Sequence, residues 1–433
     1  MLTPVTWSRL SQAERATLFA PTAAQGNADA AAIEIVDAIR RGGDTALRDY
    51  ARRFDGVALK AFRVPATDIA ASRTTLSAED ETAIREAATA IRRFHELQGL
   101  NAYSVETWPG VTASRRVQPI ETAGLYVPAG SAPLVSTLLM LAIPAQIAGV
   151  ARIAICVPPG RDGSVNAAVL AAADLLGLDE IYALGGAQAI AALAFGLGGV
   201  PRADKIFGPG NAYVAAAKAH VARLPGGPAI DLPAGPSEVM VVADASADVD
   251  FVAADLLAQA EHDAMAQITL VCDSEDIRSR VVAAADVQLE ELSRADIARE
   301  SMAGSRCILT GQPDLRDVIN AAAPEHLILH VTDADALAGA VRNAGSIFIG
   351  PWAPESAGDY AAGPNHTLPT GGAARGYSGV TVESFQKTIT TLSATREGAD
   401  NIAPVVERLA ALEGLDGHAT AMRLRRLAAG DKS

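Results

Sequence analysis

Residues 238–243, Glu-Val-Met-Val-Val-Ala, form an apolar run of strand length. A helix with an apolar face is predicted to begin near Asp248 and to end near Asp263, and a second strand-like run follows at 267–272. The same alternation is repeated in further strand-like runs at 124–127, 152–157, 180–184, 204–207, 306–309, 327–331 and 346–349. Apolar strands that alternate with helices predict a mostly parallel sheet with helices on both faces.

The strand-like runs fall into two groups that meet near the Pro/Gly-rich segment 225–237. The predicted fold class is therefore α/β, with two nucleotide-binding-like (incomplete Rossmann) parallel-sheet units and small helical N- and C-terminal extensions. The expected divisions are a terminal arm at 1–24, a first α/β domain at 25–122 and 237–380, a second α/β domain at 123–236, and a C-terminal helical tail at 381–433. The arm is expected to pack with the tail.

Composition and charge argue against a nucleic-acid-binding, secreted or membrane-spanning protein. The 433 residues carry a formal net charge of −14, which gives no electrostatic basis for binding nucleic acid or an anionic membrane. The start of the chain has neither the basic nor the apolar region of a secretory signal. The apolar window 138–157 is interrupted by Pro144, Gln146 and Arg152, so it predicts a buried helix followed by a strand, not a membrane span.

Cys156, Cys272 and Cys307 each lie in an apolar strand-like run, without the spacing of a metal site. They are therefore expected to be reduced core residues of a cytoplasmic protein. His95 lies among charged residues on a helix predicted from Ser77, and it is expected at the solvated surface.

Gln259 and His262 lie three residues apart at the end of the predicted helix, so they project from nearly the same side. An amide oxygen beside an imidazole can hold a metal ion or a polar substrate. The alternative is a helix end with a structural histidine, because helix ends commonly carry polar side chains.

Glycine-rich turns follow three of the predicted strands, at 126–130, 185–188 and 208–211. Their backbone amides can hold a pyrophosphate, although glycines at strand–helix junctions are more often only turn residues. Three such turns at the carboxyl ends of parallel strands favour a ligand site.

Acidic residues accompany four of the seven histidines. Glu325 precedes His326 at the start of a predicted strand, where the two could act as proton acceptors. Asp359 and His366 lie in the irregular segment 350–379, which is long enough to suggest a functional loop. Glu413 and His418 lie at the break between the last two predicted helices, and His262 is the fourth histidine. A metal or acid–base site requires this kind of clustering. His220 and His330 are expected to be structural.

Nine blocks of the sequence together resemble the histidinol dehydrogenase family, which depends on zinc and NAD. They are Gly-Leu-Tyr-Val-Pro (124–128), Ala-Pro-Leu-Val-Ser-Thr (132–137), Ala-Leu-Gly-Gly-Ala-Gln-Ala-Ile-Ala-Ala-Leu (183–193), Gly-Pro-Gly-Asn-Ala-Tyr-Val (208–214), Ala-Gly-Pro-Ser-Glu-Val (234–239), Gln-Ala-Glu-His (259–262), Ala-Pro-Glu-His-Leu (323–327), Asn-His-Thr-Leu-Pro-Thr-Gly-Gly (365–372) and Glu-Gly-Leu-Asp-Gly-His (413–418). Two departures, Ala129 for a usual glycine and Gly417 for a usual alanine, remove no functional atom.

The resemblance implies a complete site. Its zinc ligands would be Gln259, His262, Asp359 and His418. Its substrate-binding residues would be Ser237, Gln259, His262, His326, Asp359, His366, Glu413 and His418. Its NAD contacts, which fall in the second α/β domain, would be Tyr126, Gln188 and Asn211.

The reaction implied is the oxidation of L-histidinol to L-histidine through a bound aldehyde, with two NAD⁺. His326 would remove the hydroxyl proton in each step, and Glu325 would activate the water that hydrates the aldehyde. The resemblance also implies a homodimer in which the tail of each chain supplies Glu413 and His418 to its partner.

Three alternatives remain open at this point. A relative could oxidise another alcohol, such as a sulfonated diol, but the Glu413 carboxylate would repel a sulfonate. A zinc hydrolase would use a metal-bound water and no NAD. A non-catalytic nucleotide-binding protein would leave Glu325 and His326 without a role.

Overall fold

The computed structural model describes residues 2–19, 26–129, 134–233 and 235–430. The chain divides into two compact units. The first comprises Met1–Gln98 with Glu121–Phe385, and the second comprises Gly99–Ile120 with Gln386–Ser433.

A six-stranded parallel sheet forms one half of the first unit. Its strands are β1 (Thr3–Thr6), β9 (Glu238–Ala243), β10 (Gln267–Cys272), β11 (Arg306–Leu309), β12 (His326–His330) and β13 (Ser346–Ile349). Their order across the sheet is β1-β11-β10-β9-β12-β13. Strand β9 lies between β10 and β12, and His326 pairs with Val239 in the register. The amino ends of β9 and β12 are therefore neighbours.

A five-stranded parallel sheet forms the other half of this unit. Its strands are β4 (Thr122–Tyr126), β5 (Arg152–Val157), β6 (Ile181–Ala183), β7 (Lys205–Phe207) and β8 (Ala229–Ile230). Their order is β6-β5-β4-β7-β8, and all pairs are parallel. The apolar side chains of these strands are buried on both faces, as parallel sheets covered by helices require.

Helices connect the strands of both sheets. They are α1 (Gln12–Thr17), α2 (Gly26–Phe54), α3 (Ala66–Ser72), α4 (Ala78–His95), α5 (Val135–Ala148), α6 (Ala167–Leu175), α7 (Gly186–Phe195), α8 (Ala212–Arg223), α9 (Val249–Ala260), α10 (Glu275–Leu289), α11 (Ala295–Ala303), α12 (Leu315–Ala322), α13 (Ala334–Ala340) and α14 (Glu355–Tyr360). Helix α9 begins where the Asp248 side chain accepts a hydrogen bond from Asp250 N. The side chains of Val252, Leu256 and Leu257 bury its apolar face.

The second unit contains an antiparallel sheet and two helices. They are β2 (Tyr103–Trp108), β3 (Val111–Pro119), β14 (Gln386–Ala394), α15 (Arg396–Leu412) and α16 (Asp416–Gly430), with the strand order β14-β3-β2. The helices pack against each other and are joined by an ion pair between Arg426 and Glu407. Large apolar side chains nevertheless stay exposed on this unit, including Leu392 at 71% and Leu412 at 67%.

The predicted α/β class with two parallel-sheet units is confirmed. The three cysteines are buried free thiols, as expected. No helix among the described residues is long and apolar enough to cross a membrane. The exact domain boundaries stay a prediction. The antiparallel strands of the second unit were not predicted.

Two local expectations are wrong. His95 is buried, because the face of α4 that carries it packs against α5, and its Nδ1 lies 2.9 Å from the carbonyl oxygen of Ile91. The segment 350–379 is not wholly irregular, since α14 carries Asp359.

Candidate active site

Glu325 and His326 lie at the amino end of β12, and each is only 5% exposed. Helix α12 ends just before them at Ala323, whose positive φ of 51° turns the chain into the strand. The sequence folds this way because the apolar face of α12 and the apolar strand residues Leu327–Leu329 are both buried in the hydrophobic core. Two catalytic-type side chains are thereby fixed on a rigid element.

The surroundings of His326 determine which ring nitrogen can act as a base. Nδ1 lies 3.3 Å from the backbone carbonyl oxygen of Glu238 and 3.5 Å from Oε1 of Glu355. A carbonyl oxygen only accepts hydrogen bonds, so Nδ1 carries the proton and Nε2 has the free lone pair. Nε2 is buried, and among the described residues it has no hydrogen-bond partner. Burial lowers the pKa of His326 to about 3, which keeps the ring neutral.

The Glu325 carboxyl accepts a hydrogen bond from Glu238 N, at 2.9 Å from Oε2. Burial raises its pKa well above the usual value, and the nearby charges of Glu238 and Asp359 act in the same direction. A carboxylate with a raised pKa is a stronger base than an exposed one, so Glu325 is suited to removing a proton from water.

Helix α14 brings two further carboxyl groups to His326. Oε1 of Glu355 faces Nδ1, and Oδ1 of Asp359 lies 3.7 Å from Nε2. Burial raises the pKa of Glu355 well above its usual value and that of Asp359 to about 7. Asp359 follows Glu355 by four residues, so one helical turn presents both carboxyls on one face.

His366 lies in the segment that follows α14. His326, Asp359 and His366 all line one small, tightly packed pocket. Burial lowers the pKa of His366 to about 4, and the backbone of Ser136, at the start of α5, is within hydrogen-bonding reach of its ring. Next to it, Asn365 donates a hydrogen bond to the carbonyl oxygen of Met140 on α5. The segment that carries His366 thus lies between His326, in the six-stranded sheet, and α5, the helix that follows β4.

Gln259 and His262 lie at the end of α9, which packs against α14. Gln259 is buried, and its Oε1 is left without a hydrogen-bond partner in the part of the chain that the structure describes. His262 follows the last helical residue and is exposed, in a turn where its backbone N donates to the carbonyl oxygen of Gln259. Its charge is close enough to influence both His326 and His366. The predicted helix end is therefore part of the same site.

The remaining predicted substrate residues lie in different places. Ser237 directly precedes β9 and is partly buried. Glu413 ends α15 and His418 lies in the first turn of α16, and both are exposed on the second unit.

Two features of the site suit a metal ion: a group of side chains with ligand spacing, and a buried polar atom without a hydrogen-bond partner among the described residues. Among the described residues, one group of His, Cys, Asp or Glu has metal-ligand spacing: the ligand atoms of His326, Glu355 and Asp359 all lie within 4.8 Å of one another. Asp359 also belongs to the predicted ligand set, whose nitrogen and oxygen atoms suit zinc. Since a buried polar atom without a partner is costly, the unpaired Oε1 of Gln259 fits a metal ligand.

The predicted cofactor residues lie at the carboxyl edge of the five-stranded sheet. The Tyr126 hydroxyl, at the end of β4, accepts a hydrogen bond from Gly186 N at 3.1 Å. Gln188, in the first turn of α7, donates from Nε2 to Oδ1 of Asp55 at 3.1 Å. Asp55 also accepts from Gly185 N at 3.4 Å. An acidic side chain therefore occupies the amide end of α7, which disfavours a pyrophosphate at this turn. Gly130, of the first predicted turn, lies outside the described residues.

The turn 208–211 follows β7 and is held by a buried ion pair. Lys218 Nζ lies 2.5 Å from Asp231 Oδ1 and donates to the carbonyl oxygen of Gly208, whose N donates to Asp231 Oδ2. A side chain at Gly208 would meet the carbonyl oxygen of Tyr126 at 2.1 Å, so only glycine fits. The turn ends at Asn211, which caps α8 by accepting from Tyr213 N and Val214 N. This capping leaves the Asn211 amide group itself exposed at the turn.

Sequence reasoning missed three residues of the site: Asp55, Glu238 and Glu355. Glu355 could have been found from its spacing of four before Asp359, and Glu238 from its position beside Ser237. Asp55 follows the long helix α2, and nothing in its local sequence points to a turn about 130 residues onward.

Known proteins match nearly the whole chain. The family model of histidinol dehydrogenase matches residues 20–426. The histidinol dehydrogenase of Xylella fastidiosa (strain 9a5c) is 49% identical over 425 residues, covering 97% of this chain and 98% of the relative. That of Vibrio parahaemolyticus is 45% identical over 424 residues, covering 97% of each.

Among solved structures, the histidinol dehydrogenase of Elizabethkingia anophelis is 41% identical, with a TM-score of 0.92 and 99% of each chain covered. The predicted resemblance is confirmed by sequence and by fold. The chain belongs to the histidinol dehydrogenase family.

Proposed function

We propose that this chain oxidises L-histidinol to L-histidine in two successive hydride transfers to NAD⁺. The observation that carries the proposal is the environment of His326. Its Nδ1 faces the carbonyl oxygen of Glu238, and its buried Nε2 faces the pocket shared with Asp359 and His366. A neutral imidazole with one free lone pair inside a small pocket is suited to removing a hydroxyl proton.

In the first oxidation, Nε2 of His326 takes the hydroxyl proton while the adjacent carbon gives a hydride to NAD⁺. The balance is R–CH₂OH + NAD⁺ → R–CHO + NADH + H⁺. The Nδ1 proton stays directed at the Glu238 carbonyl oxygen throughout, so the ring does not need to rotate.

In the second oxidation, Glu325 takes a proton from the water that adds to the aldehyde, which gives the hydrated aldehyde. His326 then removes a hydroxyl proton from this diol as the second hydride leaves. The balance is R–CHO + NAD⁺ + H₂O → R–COO⁻ + NADH + 2H⁺. The two side chains are neighbours, with 3.8 Å between Oε2 of Glu325 and Nδ1 of His326, so both proposed acceptors belong to one site.

The residues that would hold zinc are Gln259, His262, Asp359 and His418. Bound zinc would hold the substrate through its amino and imidazole nitrogens. The unpaired Oε1 of Gln259 supports this set over a cluster that includes His326. His326 uses Nδ1 toward a carbonyl oxygen and needs Nε2 as the base, so it has no atom left for a metal.

Ser237, His366 and Glu413 complete the proposed substrate pocket, with the Glu413 carboxylate suited to a cationic ammonium or imidazolium group. Tyr126, Gln188 and Asn211 are the proposed NAD⁺ contacts. Their support is the position of all three at the carboxyl edge of one parallel sheet, where nucleotide ligands bind. Tyr126 and Gln188 are also bonded to Gly186 N and Asp55, so they hold the turn 185–188 in place as well.

We propose a homodimer in which the tail of one chain supplies Glu413 and His418 to the site of the other. The support is the surface of the second unit, where apolar side chains of α15 and α16 are exposed although they lie on regular helices. They are Val405, Leu409, Leu412, Leu424 and Leu427. Large exposed apolar faces mark interaction surfaces. The buried free thiols are consistent with a reducing, cytoplasmic location.

The test is a substrate comparison with the purified zinc-loaded protein and NAD⁺. L-histidinol, L-phenylalaninol and a sulfonated diol are supplied separately, and NADH is followed by absorbance. The proposal predicts NADH with L-histidinol and little with the other two, because only L-histidinol has both an amino group and an imidazole. NADH with the sulfonated diol alone would reject the proposed substrate.

A further inference from the structure

Glu238 is the first residue of β9 and contacts both catalytic side chains through its backbone. Its N donates to Oε2 of Glu325 at 2.9 Å, and its carbonyl oxygen lies 3.3 Å from Nδ1 of His326. These contacts follow from the parallel pairing of β9 with β12, which puts Val239 beside His326. Any side chain at position 238 would keep them.

The Glu238 side chain makes a different contact. Its Oε1 accepts a hydrogen bond from Gly371 N at 3.0 Å. Burial raises the pKa of this carboxyl to about 7, while the backbone amides of Gly371 and Gly372 act in the opposite direction. Both glycines have positive φ, 61° and 75°, a conformation that other residues rarely adopt. The Gly371 amide of this turn therefore points at the Glu238 carboxyl group.

This turn ends the segment that begins with Pro364 and carries His366. Thr367 and Thr370 of the same segment are buried, and their hydroxyl groups have no partner among the residues described. The hydrogen bond from Thr367 N to the Asn365 side chain joins two residues of the segment, so it does not attach the segment to the rest of the protein. The Glu238 side chain thus anchors the far end of the segment through its hydrogen bond with Gly371 N.

We propose that Glu238 is a positioning residue that fixes the His366-bearing segment against the Glu325–His326 pair. The backbone of Glu238 positions the catalytic side chains, and its carboxyl group positions the segment that lines the same pocket. The role of His366 in substrate binding rests on the proposed function, whereas the anchoring itself does not.

The test compares Glu238→Ala, Glu238→Gln and the control Glu34→Ala, which alters an exposed carboxylate on α2. Loss of the anchor in Glu238→Ala is expected to raise KM for L-histidinol about tenfold, because the hydrogen bond with Gly371 N is lost. The Kd for NAD⁺ stays unchanged. Glu238→Gln restores part of the loss, since its amide oxygen still accepts from Gly371 N.

Hydrogen exchange of the amides in 364–372 is measured on the same proteins without substrate. Faster exchange is expected there in Glu238→Ala, with a smaller effect in Glu238→Gln and none in Glu34→Ala. Unchanged exchange in Glu238→Ala would overturn the proposal, as would equal KM values in all four proteins. If the parent does not oxidise L-histidinol, the proposed function fails, while the exchange data still decide the anchoring. Should Glu238→Ala not fold, Glu238→Asp replaces it, because its carboxylate is one methylene further from Gly371 N, and parent-like exchange and KM in this variant reject the proposal.

Discussion

His326 and Glu355 face each other inside the first unit, with 3.5 Å between Nδ1 and Oε1. Glu355 is 2% exposed, and its second oxygen has no hydrogen-bond partner within the described ranges. When His326 takes a substrate proton it becomes an imidazolium, and the adjacent carboxyl can then stabilise the positive charge. The arrangement resembles the acid–histidine pairing that supports bases in other enzymes.

Glu355→Gln is therefore expected to lower kcat about ten- to a hundredfold for both oxidations, because the neutral amide cannot stabilise the imidazolium. KM for L-histidinol is expected to change little. Steady-state kinetics with L-histidinol and with the aldehyde measure this effect. Glu34→Gln, at an exposed position on α2, serves as the matched control, and a kcat of Glu355→Gln equal to that of the parent would exclude the role of Glu355.

Glu325→Gln is expected to separate the two oxidations. The amide cannot remove a proton from water, so oxidation of supplied L-histidinaldehyde should fall about a hundredfold or more. The first oxidation should fall much less, since His326 remains in place. Single-turnover measurements with each substrate test this difference. Oxidation of the aldehyde at the rate of the parent would show that another group activates the water.

His262→Asn is expected to lower the zinc content of the purified protein well below that of the parent, because a nitrogen ligand is replaced by a weaker one. Metal analysis after dialysis measures the content. His220→Asn is the matched control, since His220 bonds to Asp37 away from the site. Unchanged zinc in His262→Asn would remove this residue from the ligand set.

Asp55→Asn tests the turn 185–188 as part of the cofactor site. The carboxylate accepts from both Gln188 Nε2 and Gly185 N, whereas an asparagine would direct an NH₂ group at one of these donors. KM for NAD⁺ should rise about tenfold while zinc content stays constant. Asp49→Asn, at an exposed position on α2, the helix that ends before Asp55, is the control. If Asp55→Asn and Asp49→Asn had the same KM for NAD⁺, the turn would not be part of the cofactor site.

The parallel sheets could be predicted because each of their strands is a short, continuous apolar run. The antiparallel sheet could not, since β2 is exposed along its length and β3 and β14 bury little. Such strands lack the apolar alternation that marks a half-buried strand. His95 was misjudged for a related reason: its sequence neighbours are charged, while its buried neighbour Asn365 lies 270 residues away.

The site residues that lie far apart in the sequence could be predicted only from the family resemblance. Gln259 and His262 could be recognised from spacing alone as a pair, but nothing local joins them to Asp359. The contacts that orient His326 come from a backbone carbonyl and from Glu355, and a sequence pattern does not reveal either one. Polar networks of this kind depend on tertiary packing.

The ratio of NADH to L-histidine formed by the zinc-loaded protein tests the proposed two-step oxidation most directly. NADH is followed by absorbance, while L-histidinol, L-histidinaldehyde and L-histidine are quantified by mass spectrometry in the same mixture. The expected result is two NADH for each L-histidine, with no free aldehyde accumulating. One NADH for each L-histidinol consumed, with the aldehyde as the end product, or no NADH at all, would contradict it.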